Sequence, residues 1–201
     1  MSEHYYSKTP QSAHKPAHLH LTYRSHSLTF QTDSGVFSRF EIDKGSQILL
    51  DSLPDSISGE VLDAGCGYGV IGIAVGKAYP CSVTLLDINE RAVQLADANS
   101  RLNGIMASTL QSNGFAGLPD GRLFDWILQN PPIRAGKAAM YQMFMDTIKC
   151  LRGTGEFWLV IRKQQGAPSA MVYLQTLYNS VEIITKERGY WVLRCHQPGK
   201  V

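Results

Sequence analysis

Asn130-Pro131-Pro132-Ile133 is the segment of the chain best suited to hold a reacting nitrogen. It follows an apolar run, Phe124 to Gln129, which reads as a strand. Two prolines cannot continue a strand ladder, so the chain turns there. A residue before proline is held extended, which fixes Asn130 at the strand's end. Its side-chain amide and the nearby backbone carbonyls then project from a rigid turn and offer several acceptors to an NH2 group. Asn-Pro is also a common turn starter, so the meaning of the segment depends on what precedes it.

Glu60 to Ala64 reads as a short buried strand, followed by Gly65-Cys66-Gly67-Tyr68-Gly69 and a helix from Val70 to about Tyr79. Glycines at alternate positions let a backbone turn tightly and approach a ligand closely. A second strand, Val83 to Leu86, ends in Asp87, 22 residues past Gly65. An acid about 20 residues beyond such a loop commonly binds ribose hydroxyls. The pattern is Gly-x-Gly-x-Gly, and Asp63 stands just before it. A carboxylate there repels a pyrophosphate and attracts an ammonium, which favours the amino-acid end of S-adenosyl-L-methionine over NAD. A glycine-rich turn that only packs is the competing reading. A third apolar run, Ala107 to Gln111, leads to Asn113. Asp63, Asp87, Asn113 and Asn130 thus stand near four strand ends, where open α/β sheets bind ligands. The expected cofactor contacts are Asp63, Gly65, Cys66, Gly67, Gly69, Asp87, Ile88, Asn113, Gly114 and Asn130. Asp63 is expected near the methionine ammonium, Asp87 on the ribose and Asn113 near the adenine. Cys66 is read as a small packing residue rather than a catalytic thiol.

These positions require an alternating α/β frame. His18 to Tyr23 and the stretch around Leu28 to Phe30 alternate and suggest a hairpin turning at Ser25-His26-Ser27. Residues 1–16 read as extended or mobile, Gly35 to Glu41 as a loop over the site, and Lys44 to Leu53 as a helix. Asn89 can cap a helix running to about Asn103 and ended by Gly104. A helix is expected from Lys137 to Leu151, a turn at Gly153-Thr154-Gly155, a strand from Glu156 to Ile161 and a helix from Ser169 to Tyr178. Val181 to Thr185 and Tyr190 to Cys195, joined by Arg188-Gly189, must pair antiparallel because the link is short. The expected fold is an α/β sandwich with a mostly parallel seven-stranded sheet, its last strand antiparallel. Residues 1–35 form a hairpin extension of the single domain and residues 36–201 its body.

At 201 residues, 44% hydrophobic and 18% charged, the chain has the balance of one globular domain. No apolar run reaches the length of a membrane helix, and the polar N-terminus lacks a signal-peptide core. A cytoplasmic, monomeric protein is expected. Cys66, Cys81, Cys150 and Cys195 have no paired metal-ligand spacing, and His18 and His20 lack partner ligands, so no metal is expected. The net charge of +2 does not by itself mark a nucleic-acid binder. Residues 1–30 nevertheless carry Lys8, Lys15, Arg24 and five histidines against one acid, Glu3. Arg134 and Lys137 follow the Asn-Pro-Pro-Ile segment, and Arg162 and Lys163 follow a strand. Cations at strand ends can meet RNA phosphates, and equally can be ordinary solvated surface.

Asp63-Ala64-Gly65-Cys66-Gly67-Tyr68-Gly69, Asp87-Ile88-Asn89 and Asn130-Pro131-Pro132-Ile133 resemble the class I methyltransferases that modify exocyclic amines. More narrowly, the chain resembles the "methyltransferase small" domain family, the RsmC-like 16S ribosomal RNA guanine-N2 methyltransferases. His4-Tyr5-Tyr6-Ser7, Gly35-Val36-Phe37-Ser38, Asp43-Lys44-Gly45-Ser46-Gln47 and Arg162 to Ser169 carry the match along nearly the whole chain. The chain is too short for the two-domain form and points to the single-domain branch. The resemblance implies a Rossmann-like fold, S-adenosyl-L-methionine as cofactor and ribosomal RNA or the small ribosomal subunit as partner. It implies Asn130, Pro131, Pro132 and Ile133 as the catalytic segment. Many amine methyltransferases carry Tyr or Phe at the fourth position; Ile133 cannot stack, so Phe37 is the first candidate to face the base, with Ile133 on its other side. Arg134, Lys137, Arg162 and Lys163 complete the expected substrate contacts. Adenine N6, a glutamine amide in a protein, and a non-catalytic RNA-binding module stay open as alternatives.

Overall fold

The computed structural model describes residues 8, 9 and 12–199. The expectation for residues 1–16 therefore falls partly, and the His4–Ser7 match wholly, outside the described residues. A two-stranded hairpin, β1 (Ala17–Tyr23) and β2 (His26–Thr32), precedes helix α1 (Lys44–Ser52). Then β3 (Gly59–Ala64), α2 (Val70–Ala78), β4 (Cys81–Asp87), α3 (Glu90–Leu102), β5 (Ala107–Gln111) and β6 (Phe124–Gln129) alternate. Helix α4 (Lys137–Cys150), β7 (Leu151–Arg162), α5 (Ala167–Leu174), β8 (Tyr178–Glu187) and β9 (Tyr190–Pro198) complete the chain. Seven strands form one sheet in the order β5-β4-β3-β6-β7-β9-β8, and only the pairings of β9 are antiparallel.

The central strands are apolar throughout because both faces are covered. Period-two alternation divides them between two cores. Val61, Leu85, Leu128, Trp158 and Val160 point to the core under α1, α2 and α3. Leu62, Leu86, Ile127, Phe157 and Leu159 point to the core under α4 and α5. The hairpin joins the first of these through buried Leu28 and Phe30. Its open edge is matched by α3: Asn99 exchanges hydrogen bonds with both backbone groups of Gln31, and Asn103 does so with Thr29. Two asparagines one helical turn apart thus do for β2 what a neighbouring strand would.

Three expected boundaries are corrected. The hairpin turns at Arg24-Ser25, both at positive φ, and His26 already pairs with Tyr23; a two-residue loop with this backbone suits the strand twist. Gly153-Thr154-Gly155 lies within β7 rather than before it, where the register with β6 steps from Phe124↔Leu151 to Trp126↔Glu156. Gly155 is required there, since a Cβ would stand 2.9 Å from the Asp125 carbonyl oxygen. Helix α5 begins two residues early, with Pro168 in its first turn, and ends at Leu174. Tyr178 instead opens β8, where its hydroxyl bonds the Thr147 hydroxyl of α4. Among the described residues, no helix is long and apolar enough to cross a membrane.

Candidate active site

Strand order reverses between β3 and β6, and a cleft of about 340 Å³ opens there at their carboxyl ends. Its floor is the turn after β3. The Gly65 and Cys66 amides donate to the Leu86 carbonyl, at 2.7 and 2.9 Å, which pins the turn to β4. Gly65 and Gly67 have φ of 78° and 56°, and a Cβ on either would meet nothing within 4 Å. A side chain there would fill the cleft itself. Gly114, at φ 56°, is open in the same way on the far wall, beside Asn113. Gly69 behaves differently: its Cβ would stand 2.6 Å from Ile73 Cδ1, and it does not line the cleft. Gly69, expected as a cofactor contact, packs closely at the start of α2.

Asp87 lines the cleft between these glycines. Its Oδ2 accepts from the Gly67 amide and its Oδ1 from the Asn89 amide, both at 2.8 Å. The Ile88 amide also bonds this carboxylate, and of its four lone-pair sites one is left for a further donor. Burial raises the pKa of Asp87, and the amide bonds oppose that rise. Asp63 is 1% exposed and does not reach the cleft wall. Its Oδ2 accepts from the Gly72 amide at 2.8 Å, while its Oδ1 has no partner within the protein. Burial first, and the charge of Asp87 second, push its pKa up to about 7. Gly72 is a contact that the sequence reading passed over: a Cβ there would stand 2.3 Å from Leu85 Cδ2 and 3.0 Å from Asp63 Cβ. Cys66 is buried, and burial raises its thiol pKa well above the ordinary value, which fits packing and not nucleophilic attack.

Asn130 stands where β6 ends, and it lines both the cleft and a small recess beside it. Its amide nitrogen donates to Asp43 Oδ2 at 2.8 Å and to Ser46 Oγ at 3.0 Å. Both of its N–H donors are thereby used, and the oxygen is the part of the amide left for a ligand. Asp43 and Ser46 come from the start of α1. Phe37, on the loop before α1, lines both spaces together with Asn130. The Tyr68 hydroxyl holds this loop by donating to the Ser38 carbonyl at 3.2 Å. Pro131 and Pro132 line the cleft. Ile133 does not; it packs against the core under α4 and α5. Ile133, expected to flank a bound base, is half-buried in the short helical turn Ile133–Ala135.

Ala139, Gln142, Met143 and Asp146 form a further wall that the sequence reading missed. Their spacing is one face of α4, and that face was the available signal. Arg134, Lys137, Arg162 and Lys163 are exposed around the carboxyl ends of β6 and β7 and do not line the cleft. Lys137 Nζ lies 5.1 Å from the Tyr141 ring centre, and the Arg162 guanidinium 4.8 Å from that of Tyr190. Among the described residues, no group of three or more His, Cys, Asp or Glu could hold a metal ion.

Residues 27–194 match the methyltransferase small domain family. The chain is 40% identical to the uncharacterized protein YbxB of Bacillus subtilis, over 96% of this chain and 98% of that one. It is 36% identical to ribosomal RNA small subunit methyltransferase C of Proteus mirabilis, over 64% of this chain but 38% of that protein. Among solved structures it is similar to the T. thermophilus 16S rRNA N2 G1207 methyltransferase in complex with AdoMet and guanosine. That likeness has a TM-score of 0.83 and 24% identity, covering 94% of this chain and 52% of the other. The chain thus spans about half or less of these two methyltransferases. The cleft fits S-adenosylmethionine: its glycines are open to a close-lying ligand, and the Asp87 carboxylate on its wall keeps acceptor capacity for a hydroxyl. The chain belongs to the methyltransferase small domain family, as an RsmC-like, S-adenosylmethionine-dependent methyltransferase.

Proposed function

We propose that this protein methylates the exocyclic N2 amine of a guanine in 16S ribosomal RNA. The observation that carries this reading is the use of both Asn130 N–H donors by Asp43 and Ser46, which leaves its oxygen as an acceptor. The Pro131 carbonyl accepts from the Ile133 amide at 2.9 Å and keeps a second lone pair. Together the two oxygens hold both hydrogens of an NH2 group and turn its lone pair toward the cleft. Guanine N2 needs this help because its lone pair is delocalised into the ring. Bound S-adenosylmethionine supplies a methyl already activated on a sulfonium. Asn130 and Pro131 then stabilise the positive charge that grows on nitrogen in the transition state. The methylated amine can lose its proton afterwards, so no strong base is required. Phe37 offers the base an aromatic face. Exposed Phe40, with the Arg39 guanidinium 4.6 Å from its ring centre, extends the same loop outward toward neighbouring nucleotides. The base must be unpaired or flipped to enter. The choice of guanine N2 draws on the names of the relatives, since adenine N6 and a glutamine amide share the geometry of the acceptor.

Asp63, buried behind the cleft wall, is assigned near the cofactor's ammonium, Asp87 to its ribose hydroxyls, Asn113 and Gly114 to the adenine, and Gly65, Gly67 and Ile88 to the walls around it. Arg134, Lys137, Arg162 and Lys163 are assigned to RNA phosphates beyond the cleft. Replacing Asp87 by alanine removes charge-assisted hydrogen bonds worth roughly 1.5–3 kcal/mol. Calorimetry should find cofactor affinity lower by about ten- to a hundredfold, and an unchanged Kd would remove Asp87 from the ribose. The reaction itself is tested with labelled S-adenosylmethionine, offered separately rRNA, 30S subunits and total protein, followed by digestion to nucleosides. Label in N2-methylguanosine is expected. Label in N6-methyladenosine or in protein would overturn the assignment.

A further inference from the structure

The amide that receives the substrate amine has its own receptor, built 87 residues earlier in the chain. Asn130 could present either oxygen or nitrogen to the cleft, and the choice is set by its hydrogen-bond partners. Asp43 Oδ2 lies 2.8 Å from the amide nitrogen. With the amide reversed, oxygen would face carboxylate at that distance, a repulsive arrangement. The same Oδ2 accepts from the Ser46 backbone amide at 3.1 Å as the N-cap of α1. Gly45 closes the site from behind: a Cβ there would stand 2.9 Å from Asp43 Oδ2 and 2.9 Å from Tyr190 Cε1. The carboxylate cannot swing away without unmaking the cap.

We propose that Asp43 is the positioning residue of the reaction, acting through Asn130 by fixing its amide and polarising it. This rests on the reading of Asn130 as acceptor of the target amine. A hydrogen bond from the amide nitrogen to a carboxylate draws electron density toward the amide oxygen. That oxygen faces the nitrogen on which positive charge develops, so the negative charge of Asp43 reaches the transition state without touching the substrate. A second consequence is selective. Aspartate is not tolerated at position 130 while Asp43 is present, because two carboxylates would meet where one hydrogen bond now stands.

The test separates charge from shape. Asp43→Asn keeps an oxygen to cap α1 and to accept from Asn130, and asparagine caps helices as well as aspartate does. It should lower kcat about tenfold, with the Kd for S-adenosylmethionine, the KM for RNA and the melting temperature little changed. Asn130→Asp should lose activity by more than about a hundredfold. The exchanged pair, Asp43→Asn with Asn130→Asp, should regain at least about tenfold over Asn130→Asp alone, because one amide and one carboxylate again face each other. A purely structural role for Asp43 predicts no such recovery. Wild-type kcat in Asp43→Asn, or no gain in the double variant, overturns the proposal. A readout independent of turnover is the side-chain NH2 resonance pair of Asn130 in 15N-labelled protein, which should shift in Asp43→Asn while distant amides stay in place. If wild-type protein methylates no RNA, the proposed substrate fails, and this resonance alone decides whether the Asp43–Asn130 contact exists. An unmoved resonance refutes the contact.

Discussion

Replacing Asn130 by alanine should slow methyl transfer by about a hundredfold under single turnover, close to 3 kcal/mol of transition-state stabilisation. The size follows from what the side chain supplies. Its oxygen is already oriented by two donors' worth of hydrogen bonds to Asp43 and Ser46, so no reorganisation is needed as charge develops on the amine. The magnitude is that of losing one preorganised dipole from an oxyanion hole, with the sign of the charge reversed. Alanine leaves the Pro131 carbonyl in place, which is why activity falls rather than vanishes. Cofactor affinity should change by less than about tenfold, the range of one neutral hydrogen bond. Single-turnover rates with saturating cofactor, set beside calorimetric Kd values, separate the two effects. A wild-type rate in Asn130→Ala would mean that the amine is held by other groups.

The residues that the sequence reading grouped well are those whose spacing is local. The turn from Gly65 to Gly69, the acid ending β4 and the Asn-Pro-Pro break after β6 each sit beside the strand that carries them. Strand order then brings Gly65, Asp87 and Asn130 to one cleft. What was not legible depends on contacts between distant segments. Nothing in the spacing of Asp43 and Ser46 announces that they meet Asn130; only the packing of α1 beside β7 and β9 brings them there. Gly69 alternates with Gly65 and Gly67 in sequence, yet a Cβ on it would meet Ile73, while one on Gly65 or Gly67 would meet nothing within 4 Å. Ile133 was placed against the base by position in its motif. After the tight turn at Pro132 it packs half-buried against the core, and Phe37 and Tyr68 are the aromatics that line the recess with Asn130. The glycine pair near residue 153 signalled a turn, and the chain instead used it for an irregular register inside β7. Glycine marks backbone freedom, and neighbouring strands decide how it is used.

Asp63→Asn should stabilise the protein without cofactor and weaken its grip on S-adenosylmethionine, and both effects should depend on pH. The Asp63 side chain is buried with one oxygen unpartnered, and its pKa is pushed up from 3.8 to about 7. Folding therefore holds a proton that the unfolded chain releases between those values. Below about pH 4 the group is neutral in both states and costs nothing. As pH rises from about 4 to 7, the unfolded state gains stability relative to the folded one, and above 7 the cost is constant. At ~1.4 kcal/mol per pKa unit the full cost is on the order of 4 kcal/mol. Asparagine can still accept from the Gly72 amide and carries no charge. The variant should melt close to wild type at pH 4 and several degrees above it at pH 8. The opposite sign is expected for the cofactor. Its ammonium favours ionised Asp63, so binding near pH 6 should release a proton, and affinity should fall as pH drops below 7. In Asp63→Asn that proton release should vanish. Calorimetry in two buffers of different ionisation enthalpy measures it directly. Equal proton release in both proteins, with equal affinity, would leave the buried carboxylate as a purely structural group. A protein that keeps such an unpaired oxygen at the foot of its glycine turn, against its own stability, has the trade expected of a site shaped for a cationic ligand.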